Sequence, residues 1–287
     1  LGAEKAGIRL GDYQDAPFRV GELMFNDASF NRLRGKTDEL FSVLFHRRYA
    51  QPAWAWSETT AYPADQLSAR NLAAKLATST IADVHNTIFM SGMTPFPIEH
   101  WATLKPAMAK HARVHAQLAG HAPKGPFKHY WGEAERYVGD DKPYSLFLAS
   151  GMPFETVDVL PDDGWTFLSD YDARALDDKA LKPGKGAIVT RQPLKNMPEA
   201  TRAVAEELSA LFEFKRRVVE AGYDGPRVED DKPVVCAWYP TAGAVLLWNL
   251  SQEREAFRVR SGGNTVDVDV DGLDVELVEA PELFAKS

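Results

Sequence analysis

The hydrophobic period of this chain changes once along its length, and that change limits the folds open to it. Up to about Asp230 short apolar runs alternate with amphipathic helical stretches, whereas after Asp231 the apolar residues recur every second position. A strand–helix–strand–helix order implies parallel strands joined by crossover helices. A period of two with turn residues between the runs implies an antiparallel sheet or small sandwich. Lys36–Tyr49 reads as a helix striped by Leu40, Phe41, Leu44 and Phe45. Asp38 and Glu39 fall in its first turn and His46, Arg47 and Arg48 in its last, in keeping with the helix dipole. AWAWSE (53–58) and Val84–Met90 read as strands, with helices at about 65–78, capped by Asp65, and from Glu99 onward. GELMFND (21–27) reads as an earlier strand.

The Gly-, Pro- and charge-rich stretch 121–142 reads as a linker. Beyond it SLFLA (145–149), ETVDVL (155–160) and GAIVTR (186–191) are strand candidates, and Glu199–Ala221 is a helix stopped by Gly222. Val234–Trp238, Val245–Leu250, Ala256–Arg260, Thr265–Val270 and Leu273–Val278 are the period-two strands. The organisation expected is therefore α/β: strand–helix units over 1–120, a second α/β unit over 121–230 and a small antiparallel β unit over 231–287.

A net charge of −8 argues against nucleic acid as partner, because neutralising phosphates takes a basic face. No apolar run approaches the roughly 20 residues that cross a bilayer, so no membrane partner is expected. The single cysteine, Cys236, lies in the apolar run VVCAWYP and reads as a small buried residue; it excludes an internal disulfide and leans the compartment toward the cytosol. His111 and His115 have metal-ligand spacing on a helix, but only His121 offers itself as a third ligand, so no metal is expected. DVDVDG (267–272) begins like a calcium loop, yet its twelfth position is Val278 rather than Glu. GKGA (184–187) lacks the Lys-Ser/Thr pair of a phosphate loop.

The segment QPAWAWSETTAY (51–62) carries the most chemistry: an apolar strand running into a carboxylate, Glu58, just after Trp54 and Trp56. If the strand belongs to a barrel, its C-terminal end faces the active site. Glycoside cleavage needs carboxyl groups, and indole faces suit the apolar faces of sugar rings. Alternation places Trp54 and Trp56 on one face of such a strand. Asn26 and Asp27, at the end of GELMFND, and His85 or Asn86, inside the strand-like run 84–90, are further candidates for binding hydroxyl groups. Trp101 is a candidate to cover a sugar. The plainer alternatives are a loop role for Glu58, caps or turns for Asn26 and Asp27, a core histidine at 85, and core packing for Trp101.

The order Pro52, aromatic strand, Glu58, helix ARNLAAKLA (69–77) and strand ADVHNTIFMSG (82–92) resembles the last two strand–helix units of a retaining β-galactosidase barrel. HYWGEAERYVGDDKPYSLFLASGMPFETVDV (129–159) resembles the start of that family's middle domain, and VLLWNLSQEREAFRV (245–259) its final β domain. The resemblance implies the end of a (β/α)8 barrel, a flavodoxin-like α/β domain that drives trimerisation, and a small C-terminal β domain. It implies Glu58 as nucleophile, a carbohydrate substrate, a homo-oligomer and no cofactor. The family's general acid/base is a Glu that follows an Asn on the fourth barrel strand, and no Asn-Glu dipeptide occurs here. The expectation is that the acid/base half lies outside this chain, which opens at Leu1. The alternative expectation is a non-catalytic scaffold or oligomerisation module with a remnant half-barrel.

Overall fold

A computed structural model of the chain describes residues 4–13, 15–20, 24–92, 94–140, 142–179, 186–196 and 201–285. It is a mixed α/β structure with two parallel sheets and two separate antiparallel ones.

The first sheet is built from β1 (Phe18–Val20), β2 (Ala55–Thr60) and β3 (Asn86–Met90), all parallel and in that order. Between β1 and β2 run α1 (Asp27–Phe30) and α2 (Leu33–Arg47). Between β2 and β3 run α3 (Ala69–Ala74) and α4 (Leu76–Ile81), and α5 (His100–Leu118) follows β3. The strand expected over 21–27 is not what forms: β1 lies earlier, Asn26 caps α1 by accepting from the Ser29 amide, and 21–23, with Glu22, fall outside the described residues. A side-chain oxygen at a helix start satisfies an otherwise orphaned amide, and Asn26, itself in the extended conformation usual for that position, takes this role. Ser68, not Asp65, caps α3, through the Asn71 amide. The helix expected at 36–49 starts three residues earlier, which moves Asp38 and Glu39 out of its first turn.

The second sheet spans β4 (Phe127–Tyr130), β5 (Phe154–Val157), β6 (Trp165–Phe167), β7 (Ala187–Thr190) and β8 (Thr201–Ala203). Helix α6 (Glu133–Val138) follows β4, α7 (Asp170–Lys179) follows β6 and α8 (Leu208–Glu220) follows β8. Its order, β5-β4-β6-β7-β8, is all parallel and doubly wound. Three expectations are corrected here. The stretch 121–142 is not a linker, because it contains β4 and α6. SLFLA is a 3-10 turn over Leu146–Ala149, with every residue buried; a short apolar run does not by itself distinguish strand from helix. Of the helix expected from Glu199, the part at 201–203 is strand β8, and Glu199 itself falls outside the described residues.

The C-terminal part comprises β9 (Arg227–Val228), β10 (Val234–Tyr239), β11 (Ala244–Asn249), β12 (Glu255–Ser261), β13 (Asn264–Val270), β14 (Val275–Glu279) and α9 (Pro281–Phe284). The strands form the antiparallel sheets β10-β11-β14 and β13-β12-β9. Cys236, Val245, Leu247, Phe257, Val259 and Val270 fill the space between them, and burial pushes the Cys236 thiol up to about 12. No described helix is long and apolar enough to cross a membrane.

Helix α2 lies between the two parallel sheets, and almost all of it from Gly35 to His46 is buried. Such a helix has to be apolar all round or to satisfy its polar groups internally. Gly35 is required because a Cβ there would stand 2.1 Å from the Ser29 carbonyl oxygen of α1. Toward the second sheet, Phe41 packs on His129 at 3.8 Å and Phe45 on Trp131 at 5.2 Å, and the Thr37 and Ser145 hydroxyls lie 2.9 Å apart. Toward the first, Glu39 and Lys75, both fully buried, form an ion pair at 3.2 Å. Lys75 also donates to the Met24 carbonyl at 2.6 Å, and Glu39 accepts from the Met24 amide at 2.8 Å. The pair therefore fastens α2, the end of α3 and the chain leaving β1 at one point. Taking away one member of a buried pair costs about 3–5 kcal/mol, whereas replacing both by apolar groups of similar volume is often nearly neutral. Lys75→Met is therefore expected to destabilise by about that amount and Glu39→Leu/Lys75→Met by much less; urea unfolding of the three proteins measures it, and equal losses would exclude the pair as the cause.

His46, His111 and His129 are buried too, and burial lowers them to about 4, about 4 and about 3. His129 must donate from Nε2, since its partner at 2.8 Å is the Phe41 carbonyl, and His46 donates from Nδ1 to the Ser42 carbonyl. Between pH 6.5 and about 4 the unfolded chain binds protons that the folded chain refuses, so these groups make stability fall as the pH falls. Asp38, raised by burial to about 6, and Glu4 and Asp172, also raised by burial, act in the opposite sense over part of that range. The three histidines carry larger shifts, so at about 1.4 kcal/mol for each unit of difference the protein should be less stable at pH 4.5 than at pH 7. Denaturant titrations at the two pH values check this, and NMR should show these imidazoles neutral at pH 5.5.

Candidate functional site

The parallel register of the first sheet decides which side chains share a face. Arg19 stands beside Trp56 and Trp56 beside Asn86, while Glu58 stands beside Ile88 and Thr60 beside Met90. Strand side chains alternate, so Trp56, Glu58 and Thr60 share one face of β2 and Ala55, Ser57 and Thr59 the other. The second face is the covered one: Ala55, Ser57 and Thr59 are fully buried, and the Ser79 hydroxyl of α4 donates to Ser57 Oγ at 2.7 Å. On the first face Trp56 is 37% and Met90 38% exposed.

Glu58 is held on that open face by two partners. Arg19 Nε lies 2.8 Å from its Oε2, and the Thr60 hydroxyl donates to its Oε1 at 2.9 Å. The Glu58 side chain keeps 15% of its exposure and Arg19 62%. The carboxylate is thus oriented from both oxygens while one side of it remains open to a ligand. The strand runs on to Thr60, so Glu58 is its fourth residue of six rather than its last.

The other sequence candidates divide between this face and other places. Asn86 is the register neighbour of Trp56 and donates to the Ala55 carbonyl at 3.1 Å. Trp54 belongs to the 3-10 turn Pro52–Trp54, before the strand, and is exposed; the alternation with Trp56 therefore does not extend to it. Asn26 is engaged as the α1 cap. Asp27 Oδ1 accepts from the Ser68 amide, the Ser68 hydroxyl and Asn71 Nδ2 at 2.8, 3.1 and 2.7 Å, which ties α1 to α3. Trp101 lies against Phe89, the register neighbour of Thr59, and so on the helix-covered side of the sheet. His85 precedes β3, at the opposite end of the sheet from Thr60, and contacts Asp83 and His115.

Sequence reasoning missed Arg19 and Thr60. Thr60 was within reach, since it lies two residues after Glu58 and a strand puts i and i+2 on one face. Arg19 was not, because β1 has three residues and no periodic signal.

No family model matches the chain, and a search among curated proteins found no match. Among solved structures, Gan42B, a GH42 β-galactosidase, is similar at 10% identity with a TM-score of 0.42, over 82% of this chain and 60% of that one. This chain thus spans less than two thirds of that protein's length.

An ion pair with one mostly exposed partner contributes little to stability, about 0–1 kcal/mol. Glu58→Gln is accordingly expected to lower unfolding stability by less than about 1 kcal/mol. A loss of several kcal/mol in urea unfolding would make Glu58 a structural residue instead.

Proposed function

We propose that the open face of the first sheet binds carbohydrate and that the chain carries the nucleophile half of a retaining glycoside hydrolase of the β-galactosidase type. One observation carries the reading: Glu58, oriented by Arg19 and Thr60, opens beside the exposed indole of Trp56 on the uncovered face of a parallel sheet. In this reading the sheet is the end of a catalytic barrel. Residues 121–230 form a flavodoxin-like unit serving homo-oligomer formation, and 231–287 a small β unit; β9 at Arg227–Val228 already pairs with β12 of the latter.

In the proposed reaction Glu58 attacks the anomeric carbon, the C–O bond to the leaving group breaks, and a glycosyl-enzyme ester forms. Water then cleaves the ester and releases the sugar with its configuration retained. Arg19 and Thr60 hold the carboxylate on the line of attack, and Trp56 gives the sugar ring an apolar platform. Retaining cleavage needs a second carboxyl group about 5–5.5 Å from the first, to protonate the leaving oxygen. The neighbours of Glu58 across the described face, Arg19, Trp56, Thr60, Asn86, Ile88 and Met90, include none. In this reading that group comes from outside this face of the sheet.

A second reading has its own support. Parallel sheets are almost always covered on both faces, and here one face presents Trp56 and Met90. A non-catalytic oligomerisation module would cover that face with protein. The experiment compares the parent protein with Glu58→Gln and Trp56→Ala, using 4-nitrophenyl β-galactoside turnover and galactose-induced tryptophan quenching. Under the hydrolase reading, turnover falls at least about 10³-fold in Glu58→Gln with folding unchanged, and Trp56→Ala weakens saccharide binding. A parent that neither cleaves nor binds, and that self-associates less once Trp56 is replaced, would establish the module instead.

A further inference from the structure

Asp83, His85 and His115 meet at the end of the first sheet remote from Thr60. Asp83 lies in the turn between α4 and β3, in the left-handed region at φ 56°; His85 immediately precedes β3; His115 lies in the last turn of α5. His85 Nε2 is 3.1 Å and His115 Nε2 3.0 Å from the same oxygen, Asp83 Oδ1, and the two rings stand perpendicular with centroids 4.0 Å apart. One ligand atom from each residue falls within 4.8 Å of the others.

We propose that these three residues form a binding site for a divalent transition-metal ion, zinc above all, which staples α5 to the start of β3. Two imidazoles and one carboxylate are the donor set of a borderline-soft cation with nitrogen preference rather than of calcium or magnesium. Zinc–ligand bonds of about 2.0–2.1 Å in a tetrahedron separate neighbouring ligand atoms by about 3.3 Å. The two N–O distances here are within a few tenths of an ångström of that edge, so an ion enters by a small outward movement of the rings.

The carboxylate is already fixed in a one-oxygen orientation. Arg47 Nη2 takes Asp83 Oδ2 at 2.9 Å, Arg47 Nε donates to the Asp83 carbonyl at 2.7 Å, and Arg47 Nη1 to the Ala50 carbonyl at 2.6 Å. Outer partners of this kind orient first-sphere ligands. The guanidinium also offsets the charge of Asp83, which weakens its pull on a cation.

His85 is 37% exposed, which leaves an outward position for water as a fourth ligand.

His111, the partner suggested by helical spacing, is not a ligand here: its Nδ1 is 2.8 Å from the Thr80 hydroxyl, within the packed contact of α5 on α4. His121 is likewise engaged, with Thr241 at 2.6 Å. The i, i+4 pair was therefore the wrong pair, and His115 finds its co-ligands some 30 residues earlier in the chain.

The test uses the full chain, freed of metal by chelation, titrated with Zn2+ against a chromogenic chelator and with Co2+ by visible absorption. One equivalent of Zn2+ per chain is expected, with a Co2+ spectrum of four-coordinate intensity and a rise in melting temperature. His85→Ala and His115→Ala should each weaken Zn2+ at least about tenfold and abolish the rise, while His121→Ala binds like the parent. Should a substitution reduce folding by circular dichroism, His85→Gln, at the more exposed position, replaces it. No saturable binding by the parent, or unchanged affinity in either ligand variant, overturns the site. Neither outcome bears on Glu58, which lies nearer the other end of the sheet.

Discussion

Helix α2 is the constraint on which the rest of the structure depends. It is buried on the side of both parallel sheets, so its polar residues cannot reach water and must be answered by protein groups. Glu39 is answered by Lys75 and the Met24 amide, and Thr37 by Ser145, while His129 of β4 donates to its Phe41 carbonyl. Each answer comes from a different part of the chain, and each fixes one element against α2. The Glu39–Lys75–Met24 point is the one that bears on the site. It holds the chain leaving β1 against the end of α3, and β1 carries Arg19. A buried ion pair adds little net stability compared with an apolar core, but losing one member of it leaves an uncompensated buried charge.

The same economy explains the open face. The helices α3, α4 and α5 cover one side of the first sheet, where the small residues Ala55, Ser57 and Thr59 allow close approach. The other side combines a carboxylate, a guanidinium, a hydroxyl and an indole, and leaves part of the Trp56 and Met90 surface in water. At the other end of the sheet, Asp83 is held in a left-handed conformation by Arg47, so the turn before β3 presents its carboxylate to two imidazoles. The sheet thus carries polar constellations toward both of its ends, built from different residues.

Much of the element pattern was legible in the residues. The change of period near Asp231 marks the antiparallel part, and the stripe of α2, the start of α5 and the buried position of Cys236 follow from local patterning. What misled was also local. SLFLA is apolar and short, so nothing in it separates a strand from a buried 3-10 turn, and tertiary packing under the second sheet decided. FKHY at β4 has two polar residues in four and sits among Gly and Pro, so it reads as linker. It forms a strand because His129 finds the Phe41 carbonyl and Lys128 finds Glu155 at 3.0 Å. Asn26 and Asp27 read as strand-end residues because nothing in the sequence shows that Ser29 and Ser68 would need their oxygens.

By itself, then, the sequence determined the alternation of parallel α/β units and the antiparallel C-terminal part, because each depends on spacings of a few residues. Only the tertiary structure decided that Arg19 would reach Glu58 from the neighbouring strand and that His115 would turn to Asp83 and His85 rather than to His111. Those meetings depend on strand register and helix docking between segments some 30 to 40 residues apart. Local periodicity has no information about such contacts.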